Sequence, residues 1–228
     1  MLAVTRRENG VFSVRGGTGF QGIIPMLHLE AIEPDTLELL KQLQGDPALA
    51  GLRLVGGTSL ALQLGHRKSV DLDLFGSLGV RGGELEQTLR RYGGVELVNR
   101  SKVVETYFVR GVKVDFVNYP HAWLTDPVCI GGLTLASLQD IVPMKLEAIT
   151  NRGSKKDFID LTFLLETFPL PEMLALYAAK YPQGSGYLVL RSLVYFDDAE
   201  DDPSPVMLKP LSWEEAKERI CEAVRATA

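Results

Sequence analysis

Two aspartates separated by a single residue, Asp71 and Asp73, stand in the run Ser69-Val70-Asp71-Leu72-Asp73-Leu74-Phe75. Side chains alternate across a β-strand, so a strand here sends Asp71 and Asp73 to one face and Val70, Leu72 and Leu74 to the other. Two carboxylates held that close repel each other unless a cation lies between them. A few hard oxygen ligands, completed by phosphates and water, are what Mg²⁺ prefers. Upstream, Gly56-Gly57-Thr58-Ser59 joins the end of an apolar run to the start of a helical pattern. That arrangement lets backbone N–H groups come close to a phosphate. Each feature alone has a plain reading, a solvated sheet face for the aspartates and a simple turn for Gly-Gly. Their order and spacing together are far more specific.

A third carboxylate, Asp115, lies in Val112-Lys113-Val114-Asp115-Phe116-Val117. Alternation turns Lys113 and Asp115 away from Val112, Val114 and Phe116. Asp115 joins Asp71 and Asp73 if the two strands are neighbours, and is part of an ordinary surface face if they are not. Farther on, Ile141, Met144, Ala148 and Ile149 form the apolar stripe of a helix, and Lys145 falls within that stripe. A lysine so placed either snorkels its ammonium to water or turns it into a cleft toward a triphosphate. Arg152 follows on the same side. Asp157 reads equally as a first-turn acid favoured by the helix dipole and as the group that holds Lys145 or Arg152 in place. His66 and His121 lack the spacing of a base or a zinc ligand, and a surface position is expected for His66. No serine has the context of a hydrolase nucleophile.

The elements that must position these residues follow from periodicity. Helical spacing covers residues 34–44, with Pro34 suited to a first turn. A strand at 52–56 stops at Gly-Gly, a short helix covers 58–64, the Asp71/Asp73 strand covers 70–75, and a polar helix covers 83–92. Strands are expected at 95–99 and 103–109, with Arg110-Gly111 as the tight turn into a strand at 112–118. Residues 120–132 are broken by prolines and glycines and mark a boundary. Helices then cover 137–152, 155–167, 171–181, 187–196 and 212–226, with an acidic loop at 197–205. The fold class is α+β: a mixed sheet with flanking helices at 26–125, followed by a C-terminal helical region at 134–228.

Composition sets the outer limits. The chain has 228 residues, 46% of them hydrophobic and 23% charged, enough apolar material for one large or two small cores. A net charge of −5 argues against a broadly basic nucleic-acid coat, although Arg152, Lys155 and Lys156 leave room for a local basic groove. Cys129 and Cys221 show no metal spacing and read as free thiols. No apolar run reaches membrane-spanning length and no signal peptide is recognisable, so a cytoplasmic location without membrane contact is expected. Residues 1–25 carry five glycines between Gly10 and Gly22 and no periodicity, and a second methionine follows at Met26. They are expected to be a disordered or misassigned extension.

The run from Gly56 through Asp73 to Phe75 resembles the first motif of the AbiEii/AbiGii toxin-type nucleotidyltransferases. The segment from Lys145 to Leu161, with Asn151-Arg152-Gly153-Ser154-Lys155-Lys156-Asp157-Phe158-Ile159-Asp160-Leu161, resembles their second. Similarity extends from Met26 to the C-terminus. The wider DNA polymerase β-like superfamily shares the glycine pair, a spacer and Asp-x-Asp. The spacer here, residues 58–70, is long for that superfamily and normal for this branch.

The resemblance implies a nucleotidyltransferase-type sheet, with Asp71, Asp73 and Asp115 as ligands of Mg²⁺ (or Mn²⁺). It puts Gly56, Gly57, Thr58, Ser59, Ser69 and Arg152 near the nucleotide, and adds Lys145 and Asp157 as essential second-motif residues. It implies an NTP substrate, tRNA as acceptor, a cognate antitoxin protein, and a role as a toxin in phage defence. The C-terminal half is short beside the larger toxins, so the tRNA-gripping surface is the part least covered. Two other readings stand beside this one. The same chemistry could act on a protein or small-molecule acceptor, which the acidic balance favours. A non-catalytic nucleotide-binding partner module is the other, and the complete set of Asp71, Asp73, Asp115 and Lys145 speaks against it.

Overall fold

Alternation of apolar and polar residues builds the floor on which the rest of the chain is assembled. The computed structural model describes Val4–Arg6, Phe12–Val14 and residues 26–227. Val4–Arg6 (β1) and Phe12–Val14 (β2) pair antiparallel. The remainder of 1–25, and with it the expected extension, lies outside the described residues.

The main sheet has seven strands: Arg53–Val55 (β3), Leu72–Gly76 (β4), Val95–Arg100 (β5), Val104–Val109 (β6), Val112–Asn118 (β7), Val128–Ile130 (β8) and Leu133–Leu135 (β9). Their spatial order is β5-β6-β7-β4-β3-β9-β8. The sheet is mixed, because β4 runs parallel to β7 and β3 parallel to β9 while the other pairs are antiparallel. Arg110 and Gly111, both at positive φ, make the two-residue turn between β6 and β7.

One face of this sheet is covered by Pro34–Gly45 (α1) and Gly83–Arg90 (α3). Leu72 and Leu74 of β4 and Val114 and Phe116 of β7 are fully buried there, in one cluster with Leu39, Leu40 and Leu43 of α1 and Leu85 and Leu89 of α3. Each such side chain contributes about 1.5–3 kcal/mol by leaving water, which fixes the register of both strands. Val70, read as the first residue of the β4 pattern, is instead exposed and precedes the strand.

The opposite face receives Gly56–Leu64 (α2) and the helical half: Leu138–Asn151 (α4), Lys155–Leu164 (α5), Leu170–Lys180 (α6), Gly186–Leu193 (α7) and Trp213–Arg225 (α8). Its core includes Ile141, Leu146, Phe158, Leu161, Met173 and Leu193, and it reaches the sheet through Val55 and Phe75. Side chains of Ser137, Ser185 and Ser212 cap α4, α7 and α8 by accepting first-turn N–H bonds.

The stretch 120–132, read as a boundary, is more structured than its prolines and glycines suggest. Gly131 and Gly132, at φ +59° and +79°, turn β8 into β9, and the sheet continues through Leu135. Asp140 on α4 then pins this connection by accepting from the N–H of Leu124 at 2.9 Å and from Lys180 Nζ at 2.7 Å. Both charged side chains of that pair are fully buried.

Candidate active site

Because Leu72, Leu74, Val114 and Phe116 are locked into one core, alternation turns Asp73 and Asp115 out on the other face. Strands β4 and β7 are parallel neighbours, and Asp73 stands opposite Asp115 in their register. Asp71, immediately before β4, lies on the same side. All three carboxylates line a cleft of about 350 Å³. The two strands therefore do meet, as the presence of a carboxylate triad required.

The electrostatics of this floor are unfavourable for the protein alone. Burial, and after it the negative charge of Asp115, pushes the Asp73 carboxyl up to about 6. Lys113 Nζ bonds Asp115 Oδ2 at 2.9 Å, but Asp115 Oδ1 is buried without a hydrogen-bond partner among the described residues. An oxygen-only set with a free buried acceptor and a carboxyl pushed up by burial and like charge fits a hard divalent cation. Among the described residues no three His, Cys, Asp or Glu side chains are gathered into a ready-made cage. The carboxylates are thus a partial set, of the kind that phosphate oxygens and water complete.

Helix α2 starts against these carboxylates, and its first two residues have to be glycine. Gly56 has φ +66°, and a Cβ there would lie 2.1 Å from Asp73 Oδ2. A Cβ on Gly57 would lie 2.3 Å from Arg67 Nη2. Both glycines and Ser69 line the cleft, which leaves N–H groups of the helix start next to the site of charge. Thr58 and Ser59 do not line it. Thr58 is buried and hydrogen-bonded to Ser69 Oγ at 2.8 Å and to the carbonyl of Asp71, fixing the chain as it enters β4. Ser59 is fully buried and accepts from Gln63 Nε2 at 3.2 Å.

The facing wall is a buried ion cluster between α4 and α5. Lys145 Nζ lies 3.0 Å from Asp157 Oδ1 and 2.5 Å from Asp160 Oδ2, so its ammonium bridges two carboxylates. Asp157 also takes both Arg152 Nε at 2.8 Å and Nη2 at 3.0 Å, and Ser154 Oγ at 2.6 Å. Asp160, wholly buried, accepts Arg67 through Nε at 2.6 Å and Nη2 at 2.9 Å, and His66 Nε2 at 2.7 Å. Burial would raise both carboxyls, but the charge of Lys145, with the guanidiniums of Arg152 and Arg67, holds Asp157 and Asp160 below the usual carboxylate range. Three cations, Arg67, Lys145 and Arg152, thus face two carboxylates, and the wall carries one net positive charge toward the cleft. Arg152 and Lys156 line the cleft from its exposed rim. Lys155 does not, since its Nζ is buried against the carbonyls of Glu200 and Asp202.

His66 is a correction to the surface position expected for it: it is fully buried, and burial keeps its imidazole below its ordinary pKa and neutral. The segment that holds it is strapped from the helical half. The N–H groups of Leu208 and Lys209 bond the His66 carbonyl at 2.9 and 3.0 Å, and the Lys68 N–H bonds the Val206 carbonyl at 2.8 Å. Ser204 and Val206 thereby become part of the cleft rim.

Comparison with known proteins decides what this cleft belongs to. Residues 38–226 match the family model of the nucleotidyl transferase AbiEii toxin of type IV toxin–antitoxin systems. The chain belongs to the AbiEii nucleotidyltransferase family. It is 33% identical over 171 residues to an uncharacterized Aquifex aeolicus protein, aq_aa25, covering 72% of this chain and 82% of that one. The fold is shared with a candidate nucleotidyltransferase from Helicobacter pylori, at TM-score 0.55 and 16% identity over 85% of this chain and 95% of that one. It is also shared with the nucleotidyltransferase toxin MenT4 of Mycobacterium tuberculosis, at TM-score 0.50 and 17% identity over 84% of each chain.

In this AbiEii-family nucleotidyltransferase two residues of the cleft's facing wall, Asp160 and Arg67, were not singled out by pattern alone. Asp160 and Arg67 anchor the wall, and Lys113 and Lys156 line the cleft. A signal for Asp160 was present: it stands one turn after Asp157 in an otherwise apolar stretch, Phe158, Ile159, Leu161, Phe163 and Leu164. A carboxylate in such surroundings is buried and needs cations. No helix among the described residues is long and apolar enough to cross a membrane.

Proposed function

We propose that this nucleotidyltransferase moves a nucleoside monophosphate from an NTP to an acceptor hydroxyl on RNA, with tRNA the foremost acceptor. We place it as the metal-dependent toxin of a toxin–antitoxin pair acting in phage defence in the cytoplasm, with a cognate antitoxin protein. The observation that carries the chemistry is the pairing of Asp73 with Asp115 across β4 and β7, beside Asp71 and facing a glycine-only helix start.

In the reaction the acceptor hydroxyl gives up its proton to solvent as its oxygen bonds the α-phosphorus, the bond to the bridging oxygen breaks, and pyrophosphate leaves with that electron pair. Asp71, Asp73 and Asp115 would hold Mg²⁺ or Mn²⁺, which would supply charge neutralisation at the phosphates and lower the pKa of the acceptor hydroxyl. The N–H groups at Gly56 and Gly57, with Ser69, bind phosphate oxygens. Thr58 and Ser59 act from behind, by fixing the chain that presents them. Lys145 and Arg152, held by Asp157, keep the opposite wall positive as charge develops on the leaving group. Asp115, whose Oδ1 has no hydrogen-bond partner among the described residues, would polarise the acceptor oxygen.

The RNA acceptor is supported by the surface beyond the rim. A hollow of about 460 Å³ adjoins Arg152 and is bordered by Arg191 and Tyr195. Tyr187, exposed, lies under the Arg191 guanidinium at 6.0 Å. Exposed aromatics with arginines form a surface on which unpaired bases stack. The net charge of −5 favours a second reading, a protein or small-molecule acceptor.

The test is incubation of the full chain with total tRNA, Mg²⁺ and each α-phosphate-labelled NTP separately, beside an Asp71→Ala protein. Label on RNA with the wild type alone is the expected result and names the nucleotide. Label absent from RNA, in protein that binds NTP and Mg²⁺, would overturn the RNA acceptor in favour of the second reading.

A further inference from the structure

Among the cations that line the carboxylate cleft, Lys113 stands apart. Arg67, Lys145 and Arg152 are bound to Asp157 and Asp160, Lys68 bonds Glu33 at 2.7 Å, and Lys156 is exposed at the rim. The Lys113 ammonium instead bonds a member of the triad itself, Asp115 Oδ2, at 2.9 Å. We propose that Lys113 is a resident cation that closes the Asp115 side of the triad to a second divalent ion until a triphosphate brings the charge that draws that ion in. The inference rests on the proposed reaction and gives Lys113 a positioning role in it.

The strand dictates this contact. Lys113 and Asp115 stand two apart on β7 and leave it on one face, while Val114 between them is fully buried on the other. The register that brings Asp115 beside Asp73 therefore delivers an ammonium with it. Burial alone would lower Lys113, but its bond to Asp115 and the charges of Asp71 and Asp73 hold it above the ordinary lysine range.

Charge then sets how many ions the free protein accepts. Three carboxylates and this ammonium leave two negative charges on the cleft floor, which one divalent ion cancels. Asp115 can serve that ion through Oδ1, which has no hydrogen-bond partner among the described residues, while Lys113 keeps Oδ2. A second ion would meet the ammonium at Oδ2 and a facing wall with one positive charge in surplus. Like charges at such range repel. The phosphates of an NTP supply the negative charge that reverses the balance.

Lys113 is also able to leave. Its side chain is 40% exposed on a flexible stem, and a pair so open to water holds weakly. Lys145 is the contrast, 5% exposed and bridging Asp157 and Asp160. One lysine is fixed and the other exchangeable, and the exchangeable one is on the triad.

The experiment counts Mn²⁺ bound by the full chain, from the electron paramagnetic resonance of the free ion, with and without a non-hydrolysable NTP analogue. Lys113→Met removes the charge and Lys113→Arg keeps it. Wild type and Lys113→Arg should bind one ion alone and two with the analogue. In free Lys113→Met the affinity for the second ion should rise by at least about ten-fold, the low end of what a neighbouring unit charge does to an ionic equilibrium. A melting curve checks that each variant folds, and Lys113→Gln replaces Lys113→Met if that one does not. Equal counts and affinities in wild type and Lys113→Met would overturn the inference, as would two ions in the free wild type. A wild type that binds no Mn²⁺ even with the analogue would sink the metal-dependent reading and this inference with it.

Discussion

Asp73 on β4 and Asp115 on β7 are register partners across a parallel strand pair, and Asp115 Oδ1 is buried with no hydrogen-bond partner among the described residues. Lys113 reaches only the outer oxygen of Asp115. A fold that keeps two carboxylates so close gives up stability for a site that a cation can fill.

Asp115→Asn should therefore separate activity from stability. Transfer should fall at least about 100-fold, since electrostatic groups at a reacting centre carry that much. Thermal stability should hold or rise slightly, because a like-charge repulsion is removed. A melting curve beside a turnover assay checks both, and an Asp115→Asn protein with wild-type turnover would remove Asp115 from the mechanism.

Asp160→Ala should do the reverse and act first on the fold. It leaves the buried cations Arg67 and Lys145 without their shared partner, a loss of about 3–5 kcal/mol for a broken buried pair. Urea denaturation measures it. A loss under about 1 kcal/mol would show that the cluster is far more hydrated than its burial implies.

Acid stability follows from the same cluster. Against the opposing effect of burial, Asp140, Asp157 and Asp160 are all held below their ordinary value of 3.8, Asp140 by the Leu124 N–H and Lys180, and Asp157 and Asp160 chiefly by Lys145 and the arginines they pair with. Their folded-state pKa values are depressed, so their contribution is fully present above 3.8 and is lost as pH falls through the folded values. His66, kept below 6.5 by burial, has the same sign and begins to erode stability below 6.5. The urea midpoint should decline gently from 6.5 and steeply below 3.8. A midpoint that rises on acidification would contradict the assigned directions.

Gly56→Ala and Gly57→Ala should both lose NTP binding, by different routes. At Gly56 the new methyl meets Asp73 Oδ2 on a backbone with φ +66°, which for alanine costs about 1 kcal/mol before any clash. At Gly57 the backbone is ordinary, but the methyl must displace an Arg67 nitrogen that bonds Asp160. Calorimetric titration with an NTP analogue and a melting curve for each variant test this. Unchanged affinity in either would mean that the helix start does not carry the phosphates.

Much of the fold was legible because helices and strands announce themselves locally. The helices α4 through α8 and the strands β4 through β7 follow the expected periods to within a few residues. The strands β8 and β9 were missed because three apolar or alternating residues between glycines and prolines carry too short a pattern. His66 was misjudged because one polar residue beside Arg67 and Lys68 reads as surface, while its burial comes from Asp160 and the returning 207–209 segment.

By itself the sequence determined which side chains share a face: Asp71 with Asp73, Lys113 with Asp115, Lys145 within an apolar stripe, and two glycines at the mouth of a helix. These are consequences of periods of 2 and 3.6 residues, which act over one or two turns of chain. Only the tertiary structure decided which faces meet. The parallel pairing of β4 with β7 joins residues some forty apart and makes one site of two half-sites. Asp160 finds Arg67 across 93 residues because a charge buried by its apolar neighbours must be paired wherever the packing brings a cation within reach.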